Sequence, residues 1–375
     1  MKSPKIRFKE FQNEWNSRIL GDICEYKTSN LSNENIEKKG LYDLYDANGV
    51  IGKTNKNPQK ENYITIIKDG SGVGRVRLLP KNSSFISTMC AFIGKNSTNF
   101  LYAVLQNFNF SSYINGATIP HIYFSDYKNA EIRIPNDIKE QEKIGEFFRK
   151  IDGILDLENS RFKKLENFKK TMLDKLFVKD GADEPQIRLG SFKGKWNSRI
   201  LGDIFKERTE RSAVGELLSV SILKGVTKFN ELNRWDKSSQ DKSNYKVVKK
   251  GDIAYNSMRM WQGASGLSKY DGIVSPAYTI LEPCENTNSL FFSYMFKKDE
   301  MLYKFRIKSQ GLTSDTWNLK YTNLKSIEVR IPNDIKEQEK IGEFFRKIDG
   351  ILEFSQKKIT KLENIKKYLL NKMFM

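Results

Sequence analysis

RIPNDIKEQEKIGEFFRKIDGIL occupies residues 133–155, and the same text recurs without change at 330–352. Pro135 and Pro332 stop whatever strand precedes them, and Asn136-Asp137 can cap a helix. Glu140 falls three residues after Asp137, as in a capping box. From there the apolar residues advance by alternating steps of four and three. Positions 144, 148, 151, 155, 158, 162, 165, 169, 172 and 176 hold Ile, Phe, Ile, Leu, Glu, Phe, Leu, Lys, Met and Leu. The positions 197 residues on hold Ile341, Phe345, Ile348, Leu352, Ser355, Ile359, Leu362, Lys366, Leu369 and Met373, with the two polar interruptions at the same places. The pattern predicts two long helices with a coiled-coil seam of nearly six heptads. At 1.5 Å per residue each is about 60 Å long.

Working outward, a second shared text opens each half. WNSRILGDI at 15–23 returns at 196–204, and IRFKEF at 6–11 is matched loosely by IRLGSF at 187–192. The openers are 181 residues apart and the helix entries 197 apart, so the second interior is 16 residues longer. Segments 24–130 and 205–327 show no visible kinship. The order is opener, variable body, shared helix, then the same again, which is a duplicated domain pair rather than a solenoid. VKDGADEPQ (178–186) reads as the linker. The expected divisions are 1–135 (first body), 136–180 (central helical region), 181–332 (second body) and 333–375 (C-terminal helical region). The expected class is α+β: two mixed α/β bodies separated by two long antiparallel coiled-coil helices in a pseudo-two-fold repeat, one body at each end. The alternative for the seam is a coiled coil joining two chains. Within the bodies, NYITIIKDG and GRVRLL suggest strands, and SLFFSYMFKKDEMLYKF (289–305) suggests a helix.

Of the 375 residues 38% are hydrophobic and 12% aromatic, enough to build cores, and the formal net charge is +18. The excess is unevenly placed. Segments 136–177 and 333–374 carry only +1 and +3, whereas 1–135 carries +6 and 187–332 carries +10. Each body is thus a separate basic module, as expected of a polyanion reader, while the helices suit spacers or docking faces. The charged start MKSPKIRFKEFQNEW argues against a secretory leader, no stretch reaches the length of a membrane span, and a cytoplasmic protein is expected. Cys24, Cys90 and Cys284 are too few and scattered for disulfides or zinc.

Catalytic groupings are missing. His121 is the one histidine and has no clustered partners for a metal. ANGVIGKT (47–54) is near a P-loop, but Ala47 stands where glycine belongs, and NKNPQKENY offers no helix behind it; a hairpin is expected instead. KDGSGVGRV (68–76) reads as a tight turn between strands. No amino-methyltransferase or helicase motif set is present, and the chain is read as no enzyme.

Nearly the whole chain resembles the specificity subunits of type I restriction-modification systems. The openers IRFKEFQNEWNSRILGDI and IRLGSFKGKWNSRILGDI, the helix entry IPNDIKEQEKIGEFFRKID and the text GDIAYNSMRMWQGASGLSKYDGIVSPAYTIL (251–281) carry the likeness. The resemblance implies two target-recognition domains, each reading one half of a split DNA target. It implies two methyltransferase subunits as partners and restriction subunits joining through the complex, for adenine methylation or DNA cleavage. S-adenosylmethionine, ATP and Mg2+ belong to those partners, and no cofactor is expected in this chain. The alternative is a stand-alone sequence-specific DNA-binding regulator, which would bind DNA tightly without a partner.

Direct readers should be polar side chains on loops. The DNA-binding candidates are Lys68, Arg75, Arg77, His121 and Tyr123 in the first body. In the second they are Asn256, Arg259, Gln262, Ser309, Gln310 and Asn318, with Trp261 and Trp317 as stacking groups or core. Polar residues that recur unchanged in the helices, and that are expected to be exposed, offer two identical faces to two copies of one partner. These are Lys139, Glu140, Glu142, Lys143, Arg149 and Lys150, with Lys336, Glu337, Glu339, Lys340, Arg346 and Lys347. An antiparallel rod would present the bodies to opposite faces of one duplex, with half-sites about one turn (~10 bp) apart and rod length setting the spacer.

Overall fold

The computed structural model describes residues 4–232, 235 and 240–374. The chain divides into two compact units, Met1–Ser160 with Gln356–Met375, and Arg161–Ser355.

The first unit contains β1 (Asn16–Ile19), β2 (Cys24–Thr28), β3 (Tyr42–Tyr45), β4 (Val50–Thr54), β5 (Tyr63–Ile67), β6 (Val76–Leu79), β7 (Ser83–Phe85) and β8 (Met89–Gly94). These are followed by α1 (Thr98–Asn107), α2 (Phe124–Tyr127), β9 (Glu131–Ile134) and the first part of α3 (Ile138–Leu176). An antiparallel sheet runs in the order β2-β8-β5-β6, and a mixed sheet runs β4-β3-β7, with β3 antiparallel to β4 and parallel to β7. The run NYITIIKDG becomes the central strand β5, buried at all five positions. Its side chains alternate between two cores, as a pleated strand covered on both faces requires. Ile64 and Ile66 meet Phe92, Leu101 and Tyr127, while Tyr63 and Ile67 meet Phe85, Met89 and Ile93.

The second unit contains β10 (Asn197–Ile200), α4 (Leu201–Ile204), β11 (Phe205–Glu207), β12 (Leu218–Ser221), β13 (Gly225–Lys228), β14 (Lys246–Val248), β15 (Ile253–Asn256), β16 (Ser265–Leu267), β17 (Gly272–Val274) and β18 (Tyr278–Pro283). After these come α5 (Ser289–Met295), α6 (Asp299–Lys308), α7 (Tyr321–Leu324), β19 (Glu328–Ile331) and the first part of α8 (Ile335–Met373). Its main sheet runs β11-β18-β15-β16, the same order as in the first unit, although the bodies share no visible text. Ile253 and Tyr255 face one core and Ala254 the other. The single helix expected over 289–305 is two. Lys298 is extended at the start of α6, and its buried ammonium donates to Val178 O (2.9 Å) and Glu300 Oε2 (2.8 Å).

The two shared texts lie side by side. β1 pairs antiparallel with β9, Asn16 opposite Ile134, and β10 pairs with β19, Asn197 opposite Ile331. Each body therefore begins and ends on one two-stranded ladder, and the strand stops at the proline before the helix. Asp137 and Asp334 cap the helices, accepting the N–H of Lys139 (2.8 Å) and Lys336 (2.9 Å). The glutamate of the expected capping box has another task. Glu140 accepts Arg7 Nε (2.6 Å), Arg7 Nη2 (2.7 Å) and Trp15 Nε1 (3.2 Å). In the second unit Glu337 accepts Trp196 Nε1 (3.3 Å), with Arg188 Nε at 3.5 Å. The first of the two glycines that recur in the helices is also explained. A Cβ on Gly145 would sit 2.5 Å from Phe100 N at the start of α1, and one on Gly342 would sit 3.1 Å from Phe291 N at the start of α5.

Within each unit the helices run antiparallel. In the first, Ile144 and Phe148 of α3 pack with Leu370 and Met373 of α8. Asp152 pairs with Lys366 and Glu158 with Lys358. In the second, Leu176 meets Ile341, Phe345 and Ile348, and Lys169 pairs with Asp349 (2.5 Å), whose other oxygen accepts Tyr294 Oη (2.7 Å). The polar interruptions at 158, 169 and 366 are thus cross-helix ion pairs. Ion pairs at seam positions fix register at some cost in apolar burial.

Burial holds the Glu337 carboxyl above its ordinary value of 4.5, while Arg188 and the Trp196 N–H pull the other way. A carboxyl raised in the folded state binds its proton more tightly there than when unfolded. Its contribution is full below the unfolded value and is lost as pH rises through the folded one. Glu337→Gln is expected to flatten the loss of stability of the second unit as pH rises past the ordinary carboxyl value of 4.5. Denaturant titrations across that rise check this, and an unchanged slope contradicts it.

Candidate nucleic-acid interface

In the first body the candidate readers gather where two loops meet. The turn after β5 carries Lys68 and Arg75, and its Gly70, Gly72 and Gly74 all have φ between 83° and 91°, which side-chain-bearing residues rarely adopt. It is laced to the loop before α2. Ile122 N–H donates to Lys68 O (2.9 Å), Gly70 N–H donates to Pro120 O (2.9 Å), and Asp69 forms a bridge with His121. The His121 ring lies 5.1 Å from that of Tyr123, which is exposed. Arg75 and Arg77 each donate to Ala47 O (3.3 Å), and Arg77 also to Asp46 O (3.2 Å). Arg77 is half-buried and holds the neighbouring turn. That turn joins β3 to β4, so residues 47–54 form a hairpin.

The second body builds the same junction from different side chains. β15 ends at Asn256, whose Oδ1 accepts Met258 N–H (3.1 Å). The turn that follows carries Arg259, exposed, with Trp261 and Gln262 half-buried. Leu319 N–H donates to Ser257 O (2.9 Å), as Ile122 does to Lys68, and Gln310 bridges Asn318. Trp261 and Trp317 meet edge to face at 5.1 Å, and the Arg306 guanidinium lies over Trp317 at 5.7 Å. Asn318 Oδ1 has no hydrogen-bond partner. Ser309 closes α6 by donating to Phe305 O (2.8 Å). Sequence reasoning missed Arg306 and Lys297. Lys297 Nζ grips Gly263 O (2.5 Å) and Ser265 O (2.8 Å) beneath the turn, and burial lowers its pKa to about 8.

Along the helices, Lys139, Glu142, Arg149, Lys150, Lys336, Glu339, Arg346 and Lys347 are exposed. Lys143 and Lys340 are exposed too, and lie over Phe8 (4.8 Å) and Phe192 (5.8 Å) of their own openers. Glu140 and Glu337 correct the expectation of exposure. They are 1% and 4% exposed and are held by arginine and tryptophan. Their recurrence has an internal cause. The sequence reading did not single out the exposed apolar residues Ile154, Leu157 and Phe168 of α3, which recur as Ile351, Phe354 and Ile365 of α8.

Burial pushes the Cys24 and Cys90 thiols up to about 11 and about 12, away from nucleophilic use. Among the described residues no group of three or more His, Cys, Asp or Glu could hold a metal ion, and no helix is long and apolar enough to cross a membrane.

The chain is thus two like-built basic bodies, each closed on a two-stranded ladder and followed by a long helix. The chain belongs to the type I restriction modification DNA specificity family, the S subunits of those systems, and the family model matches residues 12–167 and 193–364. It is 22% identical to the type I restriction enzyme MjaVIII specificity subunit of Methanocaldococcus jannaschii, over 96% of this chain and 91% of that protein. Its fold is similar to the crystal structure of the S subunit of a type I restriction-modification system from M. genitalium. The TM-score is 0.70 at 21% identity, covering 100% of this chain and 99% of the other. A chain from a structure describing complex assembly and conformational transition of the type I system matches with a TM-score of 0.50 at 13% identity, over 96% and 97%.

Proposed function

We propose that this chain reads a two-part, asymmetric DNA target in the cytoplasm, one half per body. On this reading it docks two methyltransferase subunits, and through the complex restriction subunits, for adenine methylation or DNA cleavage. One observation carries the reading: both bodies place polar and aromatic side chains at the same junction of the same sheet, and those side chains differ. Equal scaffolds with unequal readers suit two unlike half-sites. Phosphate contacts hold each body, and base contacts from Lys68, Arg75, His121 and Tyr123, or from Asn256, Arg259, Gln262, Gln310 and Asn318, distinguish the halves. Ser309, committed to its helix end, and Arg77, committed to its turn, act as supports. The docking faces combine Lys139, Glu142, Arg149 and Lys150 with Ile154 and Leu157, and repeat as Lys336, Glu339, Arg346 and Lys347 with Ile351 and Phe354. A charged rim around exposed aliphatic groups suits a protein partner. S-adenosylmethionine, ATP and Mg2+ enter with the partner subunits.

The test is co-expression with the host's methyltransferase subunit and single-base mapping of N6-methyladenine. A split, non-palindromic motif methylated on both strands is expected. Co-purification of the two proteins on DNA without methylation would overturn the reading.

A further inference from the structure

The two bodies differ in text, yet one loop at the reading junction is built alike in both. Asn115-Gly116-Ala117-Thr118 precedes His121, and Gln310-Gly311-Leu312-Thr313 precedes Asn318. In each, the amide residue closes the loop with two backbone bonds. Asn115 N–H reaches His121 O (2.9 Å) and His121 N–H returns to Asn115 O (2.8 Å). Gln310 N–H reaches Asn318 O (3.0 Å) and Asn318 N–H returns to Gln310 O (2.8 Å). The glycine that follows has φ of 88° in one loop and 146° in the other. A Cβ there would stand 2.4 Å from Ile119 O or 2.6 Å from Thr316 O. The loops are anchored at the same point of the turn after the central strand, through Lys68 O and Ser257 O. The second loop is two residues longer, and the added length, with Asp315, lies beyond the shared threonine.

Core packing does not account for the likeness, because residues 115–119 and 310–316 are exposed throughout. Loop closure explains the glycine, and in the second loop Thr313 is tied in as well, its N–H donating to Thr316 Oγ1 (3.1 Å) with the two hydroxyls 3.4 Å apart. It leaves unexplained why a threonine stands at the same place in the first loop. It also leaves unexplained an aliphatic residue in open solvent beside that threonine, Ile119 after it in the first loop at 64% exposure and Leu312 before it in the second, fully exposed. Elements shared by two heads that read different bases serve what both half-sites share, and the sugar–phosphate wall is the same at every sequence. We propose that this amide-Gly-x-Thr loop is the common grip of both heads on that wall. The backbone N–H groups of the glycine and the residue after it, with the threonine hydroxyl, meet phosphate oxygens, and the aliphatic residue beside the threonine lies against deoxyribose. The Gln310 side chain, His121, Asn318 and the turns beside them are left to distinguish bases.

The inference rests on the DNA-reading function proposed above. Its test uses the full chain in complex with its methyltransferase subunits, wild type against Thr118→Val with Thr313→Val. Binding is titrated on a duplex carrying the methylation motif mapped for the wild type and on one lacking it. The hydroxyls contribute net hydrogen bonds, so Kd is expected to rise roughly 5–10-fold, by the same factor on both duplexes, with every base of the methylated motif retained. Loss of discrimination at one motif position with unchanged non-specific binding would make the loop a base reader and overturn the proposal, as would unchanged Kd on both duplexes. A companion Ile119→Ala with Leu312→Ala variant is expected to show the same uniform weakening. A wild-type complex without a bipartite map would sink the underlying reading before any variant is compared.

Discussion

Replacing Glu140 with alanine is expected to destabilise the first unit by about 3–5 kcal/mol, the usual cost of stripping a buried cation of its partner. Glu140 is 1% exposed and takes both prongs of the Arg7 fork as well as the Trp15 N–H. Its removal strands three N–H donors at the point where the opener meets the helix. The matching Glu337→Ala should cost less, about 1–3 kcal/mol. In the second unit Arg188 stands farther off, and its Nε and Nη1 already complete no hydrogen bond. Hydrogen exchange over residues 6–19 and 187–200 in the two variants measures the difference. Equal loss of protection in both openers would contradict the ranking.

The second large effect concerns recognition. Arg259→Ala should lower affinity for the cognate target by about 1–3 kcal/mol, roughly 5- to 150-fold, and relax one position of one half-site while leaving the other half intact. Arg259 is exposed on the turn after β15. Among the described residues its guanidinium takes no hydrogen bond or ion pair, whereas the backbone around it is pinned by Asn256 and Lys297. A free planar donor fork on a braced turn is what bidentate base reading needs. Genome-wide methylation mapping of the variant decides the point. A uniform weakening with the motif preserved would reassign Arg259 to the phosphates.

Much of the architecture was legible because it is local or written twice. The helices followed from a heptad seam, their boundaries from Pro135 and Pro332, and β5 from a short apolar run ended by Lys68-Asp69-Gly70. The candidate readers in the two bodies were chosen on residue type, yet they fall on matching loops, because glycine-marked turns between strands are visible in sequence. What stayed hidden depends on contacts across long separations. Recurrence alone could not tell an internal Glu140 from a partner-facing one, since Arg7 and Trp15 lie 133 and 125 residues away. Lys169 and Lys366 interrupt the apolar seam in sequence, and their partners Asp349 and Asp152 stand opposite them only in the folded pair. The break inside 289–305 has no proline or glycine to announce it; it falls where Lys298 is extended and its buried ammonium bonds Val178 O. The common sheet order escaped notice because strand pairing depends on burial pattern rather than residue identity.

The ladder that closes each body has a consequence for how such a chain can change. Both ends of a body leave from adjacent strands, so the interior is a cartridge seated in a fixed socket. The second interior is 16 residues longer than the first, and its ladder still pairs asparagine with the isoleucine before the helix proline, as the first does. Chain length is absorbed inside the cartridge and never reaches the socket. A foreign interior whose two ends lie one strand spacing apart, about 4.8 Å, would meet the same seat and the same glutamate latch.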